Sequence, residues 1–453
     1  MPLFRYLVPP LLLLLLGSAR GEQALQMSSE MAAPAAVVII SATPPALPAL
    51  PDPSQEVKDD LPPIPTIDLT TPPDDLWQRM RNGFAMPDLD SPLVADRQAW
   101  YLNRPDLLKR VFERSRRYLH HIVAELEKRG MPTELALLPI VESSYNPLAY
   151  SSARALGMWQ FIPSTGKTYK LQQNWWFDQR RDIVASTSAA LDYLQFIYEM
   201  HGDWHLALAS YNWGEGAVGR AIAKNRAKGL PTDYLHLNMP GETRYYVPKL
   251  QAIKNIVANP KLFGLNIDAL PNKPYFDAVG RPADMDVTLA AKLAETPLAE
   301  FKALNPSYNR PVMLAKKGSP LLLPADKVQI FLANLESYEQ QEKPLSNWTT
   351  YKMKKGEKLA SVAARVHMTL IDLRQINGIT NRTKIGTGTT LLVPGKGANL
   401  QAVNLPLTPR DLPKQKAVKG KKGKKVAAKT KVAKKPVKGK KKVTIPAGKK
   451  HQD

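Results

Sequence analysis

Residues 134–147 read ELALLPIVESSYNP, an apolar run that ends at Glu142 and is followed by two serines. The apolar positions predict a buried helix with Glu142 at its end. Partial loss of hydration there would raise the pKa of the carboxyl group and keep it protonated as a general acid. A glutamate at a helix end is by itself more often a surface residue that caps or pairs. The functional interpretation therefore depends on the motifs that follow.

The region around Glu142, residues 76–265, predicts an α-helical domain in a mainly α protein. One apolar stripe recurs at spacings of three, four and seven, and a second one ends at Gly202. Long alternating patterns typical of strands are absent from this part of the sequence. The members of the two stripes are Leu107, Val111, Tyr118, Ile122 and Leu126, and then Ala189, Tyr193, Phe196, Ile197 and Met200.

Four motifs follow one another in this region. They are Glu142-Ser143 with Ser151 downstream, Gly157-Met158-Trp159-Gln160, Ala209-Ser210-Tyr211-Asn212-Trp213-Gly214, and Glu242-Thr243-Arg244-Tyr245-Tyr246-Val247. In order and separation they resemble the lytic transglycosylase family, which has the goose-type lysozyme fold. The resemblance extends over most of residues 76–260, and the ordered set is far more specific than Glu-Ser alone.

The resemblance implies a reaction on peptidoglycan glycan strands in which Glu142 is the catalytic residue. Glu142 would protonate the oxygen between N-acetylmuramic acid and N-acetylglucosamine, and then take a proton from the muramoyl 6-hydroxyl. That hydroxyl would attack C1 and leave a 1,6-anhydro end. Ordinary glycosidases need a second carboxylate, but the 2-acetamido group of the substrate can stabilise charge at C1. One carboxylate then suffices, and no cofactor is expected.

The same resemblance assigns the substrate-binding residues. Asn212 and Tyr246 match positions near the acetamido group and Glu142, and Ser143 and Gln160 match positions that contact the glycan. Ordinary polar packing is the alternative for each. The full predicted set is Ser143, Ser151, Met158, Gln160, Tyr211, Asn212 and Tyr246, with Trp159 and Trp213 as candidate groove walls.

Two shorter units, 275–324 and 348–395, form an internal repeat in which an apolar strand ends in proline and Leu304-Asn305 corresponds to Ile376-Asn377. The second unit resembles the LysM module, a βααβ unit that binds N-acetylglucosamine chains. By that resemblance Gly356, Glu357 and Leu359 contact the glycan, which would lie between their loop and the loop near 379–385. The family usually has Asp-Thr at Glu357-Lys358. The first unit lacks the Gly-Asp-Thr turn and is interpreted as a degenerate LysM module, for which sugar binding and packing both stay open.

The two termini predict export and a basic tail. Residues 1–21 combine Arg5, a short apolar run and small residues, which indicates a signal peptide, with an uncleaved anchor as the alternative. A Pro-rich linker is predicted over 22–75. Seventeen lysines and one acidic residue fall between Lys414 and Asp453, so most of the formal charge of +23 belongs to a disordered tail, 396–453.

This composition predicts a location in the bacterial periplasm or cell envelope. The tail would meet anionic envelope polymers or a membrane surface, and nucleic acid is the less favoured partner. The chain has no cysteine, which excludes disulfides, thiolate metal sites and a lipid attached at a signal-peptide cysteine.

Two other functions are compatible with the sequence. A hydrolytic muramidase on the same fold would need a second carboxylate, for which Glu215 and Asp182 are nominal candidates. A non-catalytic scaffold that binds the cell wall would not need Glu142. His201 and His205 are spaced for a metal on a helix, but Gly202 interrupts them and no third ligand is evident, so no metal site is predicted.

Overall fold

The computed structural model describes residues 73–315, 320–381 and 383–395. The predicted signal peptide, the predicted linker up to residue 72 and the predicted Lys-rich tail lie outside these residues. The described part is mainly α, as predicted, and its three two-stranded sheets all follow residue 275. We refer to residues 73–270 as the helical unit, 275–340 as the middle unit and 348–395 as the C-terminal unit.

The helical unit packs around one hydrophobic core. Two 3-10 helices, Thr133–Leu137 and Pro260–Phe263, connect its longer elements. Its α-helices are α1 Leu76–Asn82, α2 Pro92–Leu102, α3 Pro105–Ser115, α4 Leu119–Lys128, α5 Leu138–Ser143, α6 Pro163–Thr168, α7 Ile183–His201, α8 Trp204–Trp213, α9 Glu215–Arg226, α10 Gly241–Arg244 and α11 Tyr246–Ala258.

The first stripe, from Leu107 to Leu126, predicts a single helix, and this prediction is wrong because the stripe is divided between α3 and α4. α3 ends at Ser115, where the side-chain hydroxyl donates to the carbonyl of Phe112 at 2.7 Å. A serine bonded back to its own helix in this way offers the backbone an alternative to continuing the helix. The second stripe lies on α7, which stops at Gly202 as predicted; this glycine caps the helix in the left-handed conformation. Its residues Phe196 and Met200 are nevertheless exposed.

A short buried helix, α5, carries Glu142 in its last turn. It ends because Ser144 and Tyr145 adopt positive φ angles of 53° and 56°, a conformation that non-glycine residues seldom take. Their amides bond back to the carbonyls of Ile140 and Pro139 at 3.1 and 3.0 Å. The ring of Tyr145 is fully buried. Burial of this ring holds the strained turn in place and thereby fixes the position of Glu142.

A tight loop at residues 154–161 packs beside α5 and is held by a buried arginine. Arg180 is 2% exposed, pairs with Asp178 at 2.7 Å and donates to the carbonyls of Arg154 and Phe161. Gly157 has a φ of 88°, and a β-carbon placed there would lie 2.0 Å from the carbonyl oxygen of Arg180. Only glycine allows the loop to approach the backbone this closely.

The middle unit contains β1 Phe276–Val279, β2 Met285–Asp286, α12 Val287–Leu293, α13 Leu298–Leu304, β3 Val312–Met313, β4 Leu321–Pro324 and α14 Val328–Gln340. β1 pairs antiparallel with β4, and β2 with β3. Side chains alternate across β4: Leu321 and Leu323 enter the core of this unit, whereas Leu322 enters the core of the helical unit. The predicted boundary at Pro324 leaves out α14, whose apolar face lies in the same middle core.

The C-terminal unit has the predicted βααβ order. Its elements are β5 Trp348–Lys352, α15 Leu359–Arg365, α16 Leu370–Ile376 and β6 Thr390–Pro394, and the two strands pair antiparallel.

The internal repeat is confirmed by one hydrogen-bond pattern that occurs twice. The side-chain amide of Asn305 donates to the carbonyls of Phe301 and Leu322, and its oxygen accepts from the amide of Leu322. Asn377 makes the same three bonds with Leu373 and Leu392. Both asparagines are buried, so each repeat uses one amide group to join its second helix to its last strand.

We expect Gly157→Ala to destabilise the protein by at least about 3 kcal/mol, because it adds a backbone clash to an unfavourable φ angle. Gly130→Ala is the matched control, since Gly130 also has a positive φ but no atom within 4 Å of an added β-carbon. It should cost only about 1–2 kcal/mol. Urea unfolding of both variants measures the difference, and equal losses would contradict the close approach to Arg180.

Candidate active site

Tyr246, the first residue of α11, donates a hydrogen bond from its hydroxyl to the Glu142 carboxylate. Tyr246 is 3% exposed, whereas Glu142 keeps partial access to solvent. Burial raises the pKa of Glu142 to about 7, although the bond from Tyr246 acts to lower it. Burial also raises the pKa of Tyr246 well above its usual value, so the phenol remains a donor. The pair presents a carboxyl group that can both give and take a proton near neutral pH.

A second carboxylate, Glu242 on α10, faces the same site. Its negative charge adds to the rise in the pKa of Glu142, whereas the positive charge of Lys249 on α11 opposes it. Burial raises the pKa of Glu242 itself, and Lys249 together with a hydrogen bond from Asn212 acts to lower it. In the sequence Glu242 stands in the fourth motif without an assigned role, and Lys249 lies outside all four motifs. The available signal was spacing, because Lys249 follows Tyr246 by three residues and lies on the same side of the helix.

Asn212 and Tyr211, at the end of α8, are tied to neighbouring motifs. The hydroxyl of Thr243 donates to Asn212 Oδ1 at 2.8 Å. The hydroxyl of Tyr211 donates to the carbonyl of Trp159 at 2.9 Å. Burial raises the pKa of Tyr211 well above its usual value, and the charge of Glu142 adds to the effect. The second, third and fourth sequence motifs are therefore joined directly by side-chain hydrogen bonds.

The remaining predicted residues organise the loops beside α5. Ser143 donates to the carbonyl of Met158 at 2.8 Å. Gln160 donates to the carbonyl of Gly157 at 2.7 Å, and Ser151 accepts from the amide of Ala155 at 3.1 Å. Met158 is 1% exposed and packs in the core of the helical unit, and its predicted glycan contact stays a prediction. Glycan contacts of the other three residues stay predictions.

The candidate groove wall at Trp159 is wrong. Its ring is fully buried, and its indole nitrogen donates to Thr187 at 3.0 Å. Trp213 is partly buried and packs at the edge of the core, so it stays a prediction.

The other residues named from the sequence have separate local partners. Asp182 is buried and caps α7 by accepting from the amide of Ala185. Glu215 accepts from the hydroxyl of Tyr193 at 2.7 Å. His201 bonds Ser210 and His205 bonds the carbonyl of Pro87. Across residues 73–315, 320–381 and 383–395, no group of three or more potential acidic or histidine ligands is placed to hold a metal ion.

In the C-terminal unit Glu357 is held within its own turn. It accepts from the amide of Lys354 at 2.7 Å, from the hydroxyl of Tyr351 and from Arg365. These bonds, the backbone one first, lower the pKa of Glu357 to about 2. Gly356 has a φ of 80°, and Leu359 begins α15 and packs on the core of this unit. A glycan contact of these three residues stays a prediction.

Comparison with known proteins agrees with this division of the chain. Residues 121–232 match the Transglycosylase SLT domain, residues 275–340 match the Lytic transglycosylase MltD, LysM-like domain, and residues 351–394 match the LysM domain. Membrane-bound lytic murein transglycosylase D of Escherichia coli (strain K12) is 34% identical over 339 residues, which are 73% of this chain and 75% of that protein. The chain belongs to the lytic murein transglycosylase D family.

Two other relatives are similar to this chain over a shorter part of its length. A putative tributyltin chloride resistance protein of Alteromonas sp. (strain M-1) is 44% identical over 26% of this chain and 58% of its own length. Membrane-bound lytic murein transglycosylase C of Glaesserella parasuis is 30% identical over 29% of this chain and 40% of its own length.

Membership of the transglycosylase D family makes this protein a peptidoglycan lytic transglycosylase. The relative from Escherichia coli is named as membrane-bound. Among the helices that the structure describes, none has the length and apolar character needed to cross a membrane.

We expect the ¹³C-labelled carboxyl group of Glu142 to titrate near pH 7, as followed by NMR. Glu242→Gln removes a repelling charge and should lower this pKa, whereas Tyr246→Phe removes a stabilising hydrogen bond and should raise it. Glu199→Gln, an exposed change on α7, is the control and should leave it unchanged. A titration midpoint of about pH 4.3, the pKa of a free glutamate, would contradict the burial of this carboxyl.

The raised pKa also predicts a stability change at one end of the pH range. The folded protein binds a proton at Glu142 more tightly than the unfolded chain, so ionisation weakens the fold as the pH rises from the usual glutamate value to about 7. Glu142→Gln cannot ionise and should unfold at higher urea than the unaltered protein at pH 8. At pH 4 the two midpoints should agree, and a variant that is less stable at both values would contradict the prediction.

Proposed function

We propose that Glu142 is the single catalytic acid and base of this transglycosylase, and that the reaction leaves 1,6-anhydro-N-acetylmuramic acid ends. The observation that carries the proposal is the partly buried carboxyl with a pKa of about 7, bonded by Tyr246. At that pKa the protonated and ionised forms are both populated at neutral pH. One group can then serve both halves of the reaction.

In the first half Glu142 is protonated and gives its proton to the glycosidic oxygen as the bond to C1 breaks. Glu242 favours this state because its negative charge opposes ionisation of Glu142. The substrate's 2-acetamido group stabilises the positive charge that develops at C1. Asn212 and Tyr246 lie next to Glu242 and Glu142 respectively, and we assign them to orient that acetamido group.

In the second half Glu142 is ionised and takes the proton from the muramoyl 6-hydroxyl, whose oxygen forms the new bond to C1. Lys249 and the hydrogen bond from Tyr246 favour this ionised state. Protons balance over the cycle, because the acid that gave one to the leaving sugar recovers one from the attacking hydroxyl. Water is not consumed, and a second catalytic carboxylate is not required.

The remaining assignments complete the proposal. We assign Ser143, Ser151, Gln160 and Tyr211 to the glycan-binding surface, and Gly356, Glu357 and Leu359 to sugar binding by the C-terminal LysM unit. The predicted signal peptide supports our proposal that the enzyme is exported to the periplasm and acts there in cell-wall turnover or remodelling. The Lys-rich tail would bind anionic envelope polymers or a membrane surface.

The decisive test is digestion of purified murein sacculi, followed by mass spectrometry of the released muropeptides. We expect products with 1,6-anhydro ends, one water lighter than reducing ends. Glu142→Gln should lower the rate about 10²–10⁴-fold, whereas the exposed control Glu199→Gln should leave it unchanged. Unchanged release by Glu142→Gln would contradict the proposal and favour the scaffold interpretation.

Reducing ends would instead mean hydrolysis. Glu242 would then be the carboxylate to substitute next, because among the described acidic residues it is the one whose charge acts on Glu142. Asp182 and Glu215 are weaker candidates for activating water, because their carboxylates already accept hydrogen bonds from a helix amide and from a tyrosine hydroxyl.

A further inference from the structure

Residues 174–181, the segment that precedes α7, are bonded to the middle unit through the backbone. The amide of Asp178 donates to the carbonyl of Ser307 at 2.9 Å, and the amide of Asn309 donates to the carbonyl of Trp176 at 2.8 Å. Phe177 and Tyr308 face each other in an antiparallel bridge. Two units that are joined by paired backbone amides are restricted in how far they can rotate against each other.

Side chains of the same segment complete this contact. Phe177 is 2% exposed and belongs to the core of the middle unit rather than to that of the helical unit. Arg181 is 1% exposed and donates to Asn309 Oδ1 and to the carbonyl of Ser307. Separation of the two units would expose an apolar ring and strip a buried cation of its acceptors, which is costly.

The contact continues into the C-terminal unit at the end of α16. Arg310 is 3% exposed and donates to the carbonyl of Ile376 at 3.1 Å. The indole nitrogen of Trp175 donates to the carbonyl of Asn377 at 3.3 Å. The guanidinium of Arg310 lies over the Trp175 ring at 4.5 Å. We call Trp175, Arg310 and the carbonyls of Ile376 and Asn377 the three-way joint.

The chemistry of the joint suits a helix end. The last carbonyls of a helix have no partner within it, and a cation is favourable there because the helix dipole is negative at that end. The acceptors belong to the C-terminal unit, and the two donors come one from each of the other units. The same helix end leads directly into residues 379–385, one of the two loops assigned to sugar binding.

We propose that Trp175 and Arg310 are positioning residues that fix the C-terminal LysM unit relative to the catalytic site, so that a glycan strand held by the LysM unit reaches Glu142 at a set place. The proposal rests on the function proposed above for Glu142 and the LysM unit. A fixed second site raises the effective concentration of the strand at the first one. The benefit disappears for a glycan too short to reach both.

The first test measures the joint without any reaction. The natural chain has no cysteine, so Leu262→Cys and Ile371→Cys, at side chains that are 78% and 75% exposed, can carry two spin labels on the full-length protein. Double electron–electron resonance should give one narrow distribution of the distance between the two spin labels. Trp175→Ala and Arg310→Gln should broaden it, and the exposed control Lys128→Gln should not. A distribution that is already broad, or one that stays narrow in both variants, would overturn the proposal.

The second test separates positioning from a general structural role. Trp175→Phe keeps a ring under Arg310 but removes the indole donor, so it serves as the milder variant if Trp175→Ala unfolds. We expect the joint variants to lower kcat/KM on sacculi at least about threefold and to leave the rate on a short soluble murein glycan unchanged. Equal losses on both substrates would overturn the proposal. If the unaltered protein cleaved neither substrate, the proposed function would fail, and the spin-label distances would still decide the joint.

Discussion

A carboxyl group held at the end of a six-residue buried helix is the constraint on which the rest of the site depends. α5 can end at Ser143, directly after Glu142, because Ser144 and Tyr145 turn the chain back and the ring of Tyr145 is buried. The hydrogen bond from Tyr246 then joins this end to α11, and the bond from Ser143 joins it to the 157–160 loop. The helix end that carries the carboxyl is therefore held by α11 and by the 157–160 loop, and burial of the carboxyl raises its pKa.

Apolar periodicity was sufficient to predict the mainly α fold, and the resemblance carried by short motifs implied the βααβ order and the contact between Tyr246 and Glu142. The sequence was not sufficient for the electrostatic surroundings. The effects of Glu242 and Lys249 on Glu142 act through space between α5, α10 and α11, and no local pattern encodes such distances. Trp159 was wrongly placed on the surface because an indole suits a core and a sugar face equally well.

The internal repeat shows the same division between local and distant information. Matching asparagines 305 and 377 could be found by inspection, since each acts within its own unit. The contribution of Phe177 to the middle core could not, because that residue lies in the helical part of the chain and pairs with Tyr308. Likewise α14 lies beyond the repeat, and only its packing shows that it belongs to the same core.

The two repeats consequently differ in whether each builds its hydrophobic core from its own residues. The described core of the C-terminal unit is built wholly from its own residues, between Tyr351 and Val393. The middle unit draws Phe177 and Trp176 from outside itself and gives Leu322 to its neighbour. The C-terminal unit should therefore keep its complete core when it is transferred to another protein. The middle unit depends on residues of the helical unit, so its transfer to another protein would leave its core incomplete.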